Sequence, residues 1–408
     1  MSAAFATYFC MYGFRKPFAV GTFAGTATLP FLPPMDLKVL YVIAQVLGYA
    51  ASKVLGVKIV SEMKPGGRAV AILSFIGLAE LALVLFALLP TPYNALAMVL
   101  NGLPLGMIWG LVFGFLEGRR TSDLLGAVLC ASFIVASGFV KTAGKLVLSW
   151  GVPELWMPAA TGALFLPAML LPLWMLAQLP PPSAADEASR TKRVPMDGAA
   201  RLAFFKAWAP GLVAVIAGYV LLTAYRDFRD NFAAEIWAAL GYGDQPAILT
   251  TAELPVAFGS LLGVALLMGI KDNRVALAAV HGLMVAGAAL VGGSTLLYQA
   301  GLLPPAAWMI AVGLGLYLAY VPVNCVLFDR LIAAVGSAAT AGFLIYLADS
   351  TGYLGSVALL LYKNFGEAKL SWLQFFTGFS WATSLVCAAL FAVSGLWFYR
   401  RTGAAAAR

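Results

Sequence analysis

Long apolar stretches separated by short polar ones dominate the pattern of this 408-residue chain. About 20 apolar residues form a helix long enough to cross a bilayer about 30 Å thick. Twelve such stretches occur, six on each side of a longer polar segment. They are predicted at residues 3–26, 37–61, 67–90, 94–117, 123–149, 155–178, 206–232, 250–270, 274–298, 304–328, 337–362 and 371–399. The pattern therefore predicts an all-α polytopic membrane protein with twelve transmembrane helices.

The longer polar segment contains three consecutive prolines, Pro180 to Pro182, and a group of Lys and Arg residues with little apolar periodicity. Such composition is typical of a solvated linker. We therefore predict an N-terminal six-helix bundle at 1–179, a cytoplasmic linker at 180–205 and a C-terminal six-helix bundle at 206–408. Two bundles of this kind indicate an arrangement in which a ligand site lies between the halves near the bilayer midplane.

Composition and charge agree with membrane insertion. The chain is 62% hydrophobic and 11% charged, which excludes a water-soluble surface. Most Lys and Arg residues lie on one set of alternating connections, whereas Lys38, Lys363 and Lys369 lie on the other. Positive residues collect on the cytoplasmic side. We therefore expect both termini in the cytoplasm, an inner (plasma) membrane location in a bacterium, and the lipid bilayer as the main partner.

The net charge of +8 is explained by this topology and does not call for a nucleic-acid partner. The chain has one histidine, His281, which we interpret as a packing or interhelical hydrogen-bonding residue. No metal site, nucleophile triad or phosphate loop can be assembled, so we expect no cofactor and no enzyme activity. We also expect a monomer. The four cysteines lie inside apolar stretches without paired spacing and are interpreted as packing residues: Cys10, Cys130, Cys325 and Cys387.

Arg15 is the most informative single residue because it lies in the middle of the first span, which contains no acid. A cation at the centre of a membrane helix costs about 3 kcal/mol, so it usually faces a cavity and meets a negative group. In the second span Lys53 follows Tyr49 and Gln45 on roughly the same helix face. With Tyr12, these residues form a candidate site for an anion.

A structural alternative exists for both cations. Arg15 can pair with Glu80 of the third span or with a backbone carbonyl, while Lys53 extends its ammonium towards the membrane surface. The fourth span adds a packing feature in the form of glycines at every fourth position, which allow a neighbouring helix to approach closely. These glycines are Gly102, Gly106, Gly110, Gly114 and Gly118.

Other charged or polar side chains inside the spans are further candidates. Arg226 and Arg229 are either ligand contacts or parts of a gate, since Arg226 and Asp230 are four residues apart and can form an ion pair. Asp349 is a candidate for proton coupling because an ionisable group at membrane depth needs a functional reason.

Three more positions are less decisive. Lys141 can reach the cavity, and Asn324 can donate either to a ligand or to backbone groups freed by the nearby proline. Glu253 is expected to be hydrated at the membrane interface.

The twelve-helix plan, the central linker and the basic loop from Gly56 to Arg68 resemble the major facilitator superfamily, with Glu62 and Met63 where Asp and Arg are usual. Within it, three segments resemble the organophosphate:phosphate antiporters. They are Tyr12 followed by Arg15-Lys16-Pro17-Phe18, Tyr49-Ala50-Ala51-Ser52-Lys53 before Gly56, and Thr340-Ala341-Gly342-Phe343 before Gly352-Tyr353-Leu354-Gly355.

The resemblance implies that Arg15 binds phosphate, that Lys53 is the second-helix lysine of the family, and that Arg226 or Arg229 supplies the seventh-helix arginine. The fifth-helix histidine of the antiporters has no counterpart here, and the seventh-helix run is more acidic than theirs, which fits an offshoot with a different substrate.

We therefore expect a secondary active transporter that moves a small anionic solute, such as an organophosphate, by alternating access. Two alternatives remain open. One is a proton-coupled symporter of a carboxylate or sugar with Asp349 as the proton carrier, and the other is a membrane sensor that binds its ligand without transporting it.

Overall fold

The computed structural model describes residues 2–28, 33–61, 63, 65–116, 122–180, 198–335, 341–367 and 369–406. Before the predicted linker a two-stranded antiparallel sheet, β1 (Thr26–Ala27) and β2 (Met35–Asp36), accompanies six α-helices. The helices are α1 (Ser2–Met11), α2 (Leu37–Ser61), α3 (Arg68–Leu88), α4 (Ala95–Gly114), α5 (Ser122–Ser149) and α6 (Met157–Ala177).

The remainder of the described chain is also helical, with π-helical turns at Val323–Leu327 and Tyr362–Gly366. Asp272 caps the helix that begins at Asn273, because its carboxylate accepts a hydrogen bond of 2.8 Å from the Val275 amide. The helices are α7 (Gly198–Asn231), α8 (Ala233–Ala239), α9 (Ile248–Thr251), α10 (Glu253–Met268), α11 (Asn273–Gln299), α12 (Pro305–Pro322), α13 (Phe328–Val335), α14 (Ala341–Leu361) and α15 (Trp372–Ala406).

Within the described residues, 10 helices are long and apolar enough to cross a membrane. The chain is therefore an integral membrane protein, as predicted, while the number of twelve spans stays a prediction. The first predicted span, 3–26, differs from expectation, because its α-helix contains only 10 residues and irregular backbone follows it. The predicted linker also differs at its end. Residues 181–197 lie outside the described part, and α7 already begins at Gly198.

The chain forms two compact units, which are described separately. The first contains Met1–Ala184, Asp227–Leu254 and Ser356–Phe376, and the second contains Ala185–Arg226, Pro255–Gly355 and Thr377–Arg408. The predicted division into bundles at 1–179 and 206–408 stays a prediction.

In the first unit, α2 and α4 are in backbone contact along the predicted glycine stripe. A Cβ atom added to Gly102 would lie 2.2 Å from the Gln45 carbonyl oxygen, and one added to Gly106 would lie 2.1 Å from Ser52 Oγ. On the facing helix, a Cβ on Gly48 would lie 2.1 Å from the Val99 carbonyl oxygen. The interpretation of these glycines as packing residues is confirmed at these positions, and Gly118 lies outside the described residues.

In the second unit, buried side chains join helices through hydrogen bonds. His281 of α11 contacts the Leu277 carbonyl oxygen at 2.8 Å and Ser394 Oγ of α15 at 3.1 Å. The interpretation of His281 as an interhelical hydrogen-bonding residue is confirmed. Cys10, Cys325 and Cys387 form no disulfide among the described residues. The side chain of Cys130 lies outside the described part.

Candidate binding site

The first predicted span breaks at the position of its cations. Helix α1 ends at Met11, and two short 3-10 turns follow, Tyr12–Phe14 and Pro17–Val20. Pro17 contributes to the break because its ring removes a backbone donor and clashes with the preceding turn of an α-helix. Irregular backbone at membrane depth is tolerated only where protein buries it or where it lines a cavity. Arg15, between the two turns, is 5% exposed.

Two amide side chains satisfy the carbonyl groups that the break frees. Asn101 Nδ2 donates to the carbonyl oxygens of Phe14 at 3.0 Å and of Ala79 at 3.1 Å. Gln45 Nε2 donates to the Arg15 carbonyl oxygen at 3.0 Å and to Asn101 Oδ1 at 2.8 Å. Gln45, predicted as a ligand contact, therefore positions the backbone beside Arg15.

The two predicted anion-binding cations lie on the same aromatic ring. The guanidinium carbon of Arg15 is 3.8 Å from the centroid of the Tyr49 ring, and Lys53 Nζ is 5.5 Å from it. Tyr12 is a second aromatic neighbour, with its ring centroid 6.0 Å from the same guanidinium carbon. All four side chains are buried. The structure thus brings together Arg15, Lys53, Tyr49 and Tyr12 from two elements of the first unit.

Glu80 was the predicted carboxylate partner of Arg15 in the structural alternative. Its Oε2 atom is buried and has no hydrogen-bond partner among the described residues. The described contacts of Glu80 therefore do not support that pairing.

Asp230 is the centre of a second polar cluster in the first unit. Its carboxylate lies 2.5 Å from Lys16 Nζ and 2.6 Å from Lys141 Nζ, and it accepts a hydrogen bond from Ser137 Oγ. Lys16 also donates to Asn231 Oδ1 at 2.9 Å. Asp230, for which we predicted an ion pair with Arg226, is thus neutralised by two lysines.

This cluster changes the interpretation of two residues. Lys141, predicted as a ligand contact, uses its ammonium group on the Asp230 carboxylate and on the Asp230 carbonyl oxygen at 3.0 Å. Lys16 was not among the predicted site residues. Its position beside Arg15, as a second cation in the same apolar span, was the signal that pointed to it.

Arg229 forms a further ion pair in the first unit, with its Nη1 atom 2.8 Å from Glu253 Oε1. Glu253, which we expected to be hydrated at the interface, is only 8% exposed. The expectation was wrong because the sequence does not show that an arginine of α7 reaches the start of α10. The pair favours the structural interpretation of Arg229.

The second unit holds the remaining predicted residues in a buried cluster around Tyr219. The Tyr219 hydroxyl donates to Asp349 Oδ1 at 2.6 Å, with Asn324 Oδ1 at 3.2 Å and the Tyr320 hydroxyl at 2.8 Å. Arg226 Nη1 donates to the Tyr320 hydroxyl, and its guanidinium carbon lies 4.6 Å from the Tyr320 ring centroid.

Asn324 contacts the backbone, one of the two roles predicted for it, because its Nδ2 atom faces the Tyr320 carbonyl oxygen at 3.4 Å. The other role, donation to a ligand, stays a prediction. Tyr219 and Tyr320 were not predicted. The sequence offered no signal for them beyond a tyrosine seven residues before Arg226 on the same helix.

Residues 17–401 match the family described as Family of unknown function (DUF5690). The chain belongs to this family. No curated protein matches the sequence.

Two solved structures share the fold of this family member. A D-xylose-proton symporter superposes with a TM-score of 0.64 at 13% identity over 95% of each chain. The nucleoside transporter NupG superposes with a TM-score of 0.58 at 17% identity, over 95% of this chain and 98% of that one. The chain therefore shares its fold with these two proteins. The predicted superfamily stays a prediction.

Proposed function

We propose that the protein is a secondary active transporter that moves a small anionic solute through the membrane by alternating access. A phosphorylated metabolite exchanged for phosphate is the leading substrate class. The fold supports transport in general, because the two similar solved structures are described as a symporter and a transporter. At such low identity the substrates of those proteins do not transfer to this chain.

The observation that carries the proposal is the position of Arg15 and Lys53 on one buried tyrosine ring at a helix break. Discontinuous helices at membrane depth form ion and substrate sites in transporters because their freed backbone groups face the ligand region. Arg15 offers a planar fork of donors that matches phosphate or carboxylate, and Lys53 adds a mobile point charge. Tyr49 contacts both cations, and the proposal places one ligand position beside them.

The other predicted ligand contacts divide by their partners. Lys141 and Arg229 each face a carboxylate of the first unit, so we propose structural roles for them. Arg226 belongs to the polar cluster around Tyr219 in the second unit and remains a proposed ligand contact there, together with Asn324.

An exchange assay in liposomes tests the proposal. We expect labelled inorganic phosphate to enter proteoliposomes loaded with unlabelled phosphate or a hexose phosphate faster than it enters protein-free liposomes. Arg15→Gln should abolish the exchange, and Arg201→Gln, which changes an exposed arginine, should preserve it. Exchange no faster than in protein-free liposomes would overturn the proposal for this substrate class.

A proton-coupled symporter of a carboxylate or sugar is the second candidate, and Asp349 is the residue that favours it. Its hydrogen bond of 2.6 Å from Tyr219 places a membrane-embedded carboxyl group in a polar cluster that can also hold a hydroxyl-bearing solute. The two functions differ in their need for a proton gradient. Exchange persists when a protonophore dissipates the gradient, whereas symport into the liposomes collapses.

A sensor that binds without transporting would show ligand binding but neither form of uptake.

Three further features belong to the proposal of a transporter. They are two six-helix bundles joined by a cytoplasmic linker, both termini on the cytoplasmic side of the plasma membrane, and a monomeric state.

A further inference from the structure

Glu80 presents a carboxyl group deep inside a membrane-spanning helix. With a rise of 1.5 Å per residue, it lies about 18 Å of helix from Arg68 and about 12 Å from Leu88, the two ends of α3. Its Oε2 atom is buried and makes no hydrogen bond with any residue that the structure describes. A group of this kind needs an explanation, because buried polar atoms are almost always satisfied.

The neighbouring helix leaves space for this carboxyl group. A Cβ atom added to Gly162 of α6 would lie 2.2 Å from Glu80 Oε2 and 3.0 Å from Phe14 Cδ1. Only glycine at position 162 therefore allows Glu80 and Phe14 to meet α6 in this way. A side chain at position 162 would fill the space that the Glu80 carboxyl group occupies.

No cation faces Glu80 from the described elements that pack against α3. These elements are α4, α6 and the 3-10 turns Tyr12–Phe14 and Pro65–Gly67. Their sequences contain no Asp, Glu, His, Lys, Arg or Cys, and Tyr12 is their one titratable side chain. On α3 itself the other charged residue is Arg68, three turns away at the start of the helix. The guanidinium of Arg15, the residue after the Tyr12–Phe14 turn, lies against the Tyr49 ring.

An ionised carboxylate without a nearby cation or hydrogen-bond donor costs several kcal/mol at membrane depth, whereas the neutral acid avoids most of that cost. We propose that Glu80 is a proton-binding site of the first unit and holds its proton at neutral pH. This proposal concerns a proton as ligand and does not depend on the identity of the transported solute.

The side chain of Asn101 connects the backbone at Glu80 with the backbone at Arg15, which forms a cation pair with Lys53 on the Tyr49 ring. Asn101 donates to the carbonyl oxygen of Ala79, the residue before Glu80, and to that of Phe14, the residue before Arg15. A change in the position of the Glu80 turn therefore reaches the backbone beside Arg15 through two hydrogen bonds.

Carbodiimide labelling of the purified full-length protein in lipid nanodiscs tests the protonation state. Dicyclohexylcarbodiimide takes the carboxyl proton on one nitrogen, and the carboxylate oxygen then bonds to its central carbon. We expect mass spectrometry at pH 7 to find the adduct on Glu80. Glu253 is the matched control, since it is a buried glutamate of the same unit whose carboxylate is paired with Arg229. Labelling of Glu80 no greater than that of Glu253 would overturn the proposal.

Infrared spectroscopy supplies an independent reading without a reagent. The parent protein should show a carboxylic-acid C=O stretching band that is missing from Glu80→Gln and unchanged in Glu367→Gln, which alters an interhelical loop residue. The parent band should disappear as the pH is raised. Glu80→Gln should elute as the parent does, because a neutral amide replaces a neutral acid. A parent spectrum without a band sensitive to Glu80→Gln contradicts the proposal.

Discussion

Gln45 and Arg15 are joined by a hydrogen bond of 3.0 Å from the amide of Gln45 to the main-chain carbonyl oxygen of Arg15. The bond satisfies a carbonyl group that the broken first span frees inside the membrane region. It also places α2, with Tyr49 and Lys53 one and two turns further along, beside the Arg15 side chain. The cation pair therefore depends on a backbone contact as much as on the charges themselves.

Gln45→Leu is expected to destabilise the protein, because it leaves the Arg15 carbonyl oxygen and Asn101 Oδ1 without their donor. An unsatisfied buried polar group costs about 1–3 kcal/mol. Thermal unfolding in detergent measures the loss, and Gln178→Leu, at an exposed position, is the control. Equal melting temperatures for the two variants would show that the break does not need this bond.

Gly102→Ala tests the close approach of α2 and α4. The added methyl group would lie 2.2 Å from the Gln45 carbonyl oxygen, so the helices must separate. Overpacking of this kind costs about 1–3 kcal/mol. Gly77→Ala is the matched control, since no atom lies within 4 Å of the added Cβ. It should be neutral or stabilising in a helix. A Gly102→Ala variant as stable as Gly77→Ala would contradict the packing described.

Asp230→Asn is expected to be strongly destabilising, because two buried ammonium groups lose their carboxylate partner. Removing one partner of a buried ion pair costs about 3–5 kcal/mol. Adding Lys16→Met to the variant should recover part of the stability by removing one of the unpaired charges. Asp244→Asn, in an exposed turn, is the control. Failure of Lys16→Met to recover any stability in the Asp230→Asn background would contradict the role of this pair.

Tyr219→Phe tests the cluster of the second unit. It removes a hydroxyl group that contacts Asp349, Tyr320 and Asn324. The expected loss is about 1–3 kcal/mol, since Asp349 loses a donor in a buried site. Tyr93→Phe, at a side chain that is 67% exposed, should change the unfolding temperature little. If both variants unfold together, the hydrogen bonds of Tyr219 do not stabilise the native state.

Apolar periodicity and composition predicted the helical membrane class, and glycine spacing predicted that a neighbouring helix packs closely against α4, without identifying it as α2. These features are local, so sequence shows them directly. The break at Arg15 was not predicted, because the first span is long enough for a continuous membrane helix and a proline also occurs inside intact membrane helices such as α6, which contains Pro167. The sequence alone does not show that Pro17 lies at a helix break whereas Pro167 lies inside a continuous helix.

The sequence predicted which charged side chains belong to the candidate site, but it did not predict the carboxylates that pair with them. Arg15, Lys53 and Tyr49 were recognisable, because cations in an acid-free span stand out at membrane depth. The partner of Lys141 was not recognisable, since Asp230 is far from it in the sequence. The partner of Arg229 was not recognisable either, since Glu253 belongs to a separate helix. Contacts between distant segments depend on the tertiary fold, and no local pattern encodes them.

Direct binding of inorganic phosphate to the purified protein tests the central claim, which is that Arg15 and Lys53 together hold an anion. Scintillation proximity binding of labelled phosphate should give a saturable signal in the parent. Arg15→Gln should weaken it at least about tenfold, as expected for the loss of charge-assisted hydrogen bonds. Arg15→Lys should weaken it less, and Arg201→Gln should not change it. Equal phosphate binding by the parent and Arg15→Gln would contradict the account.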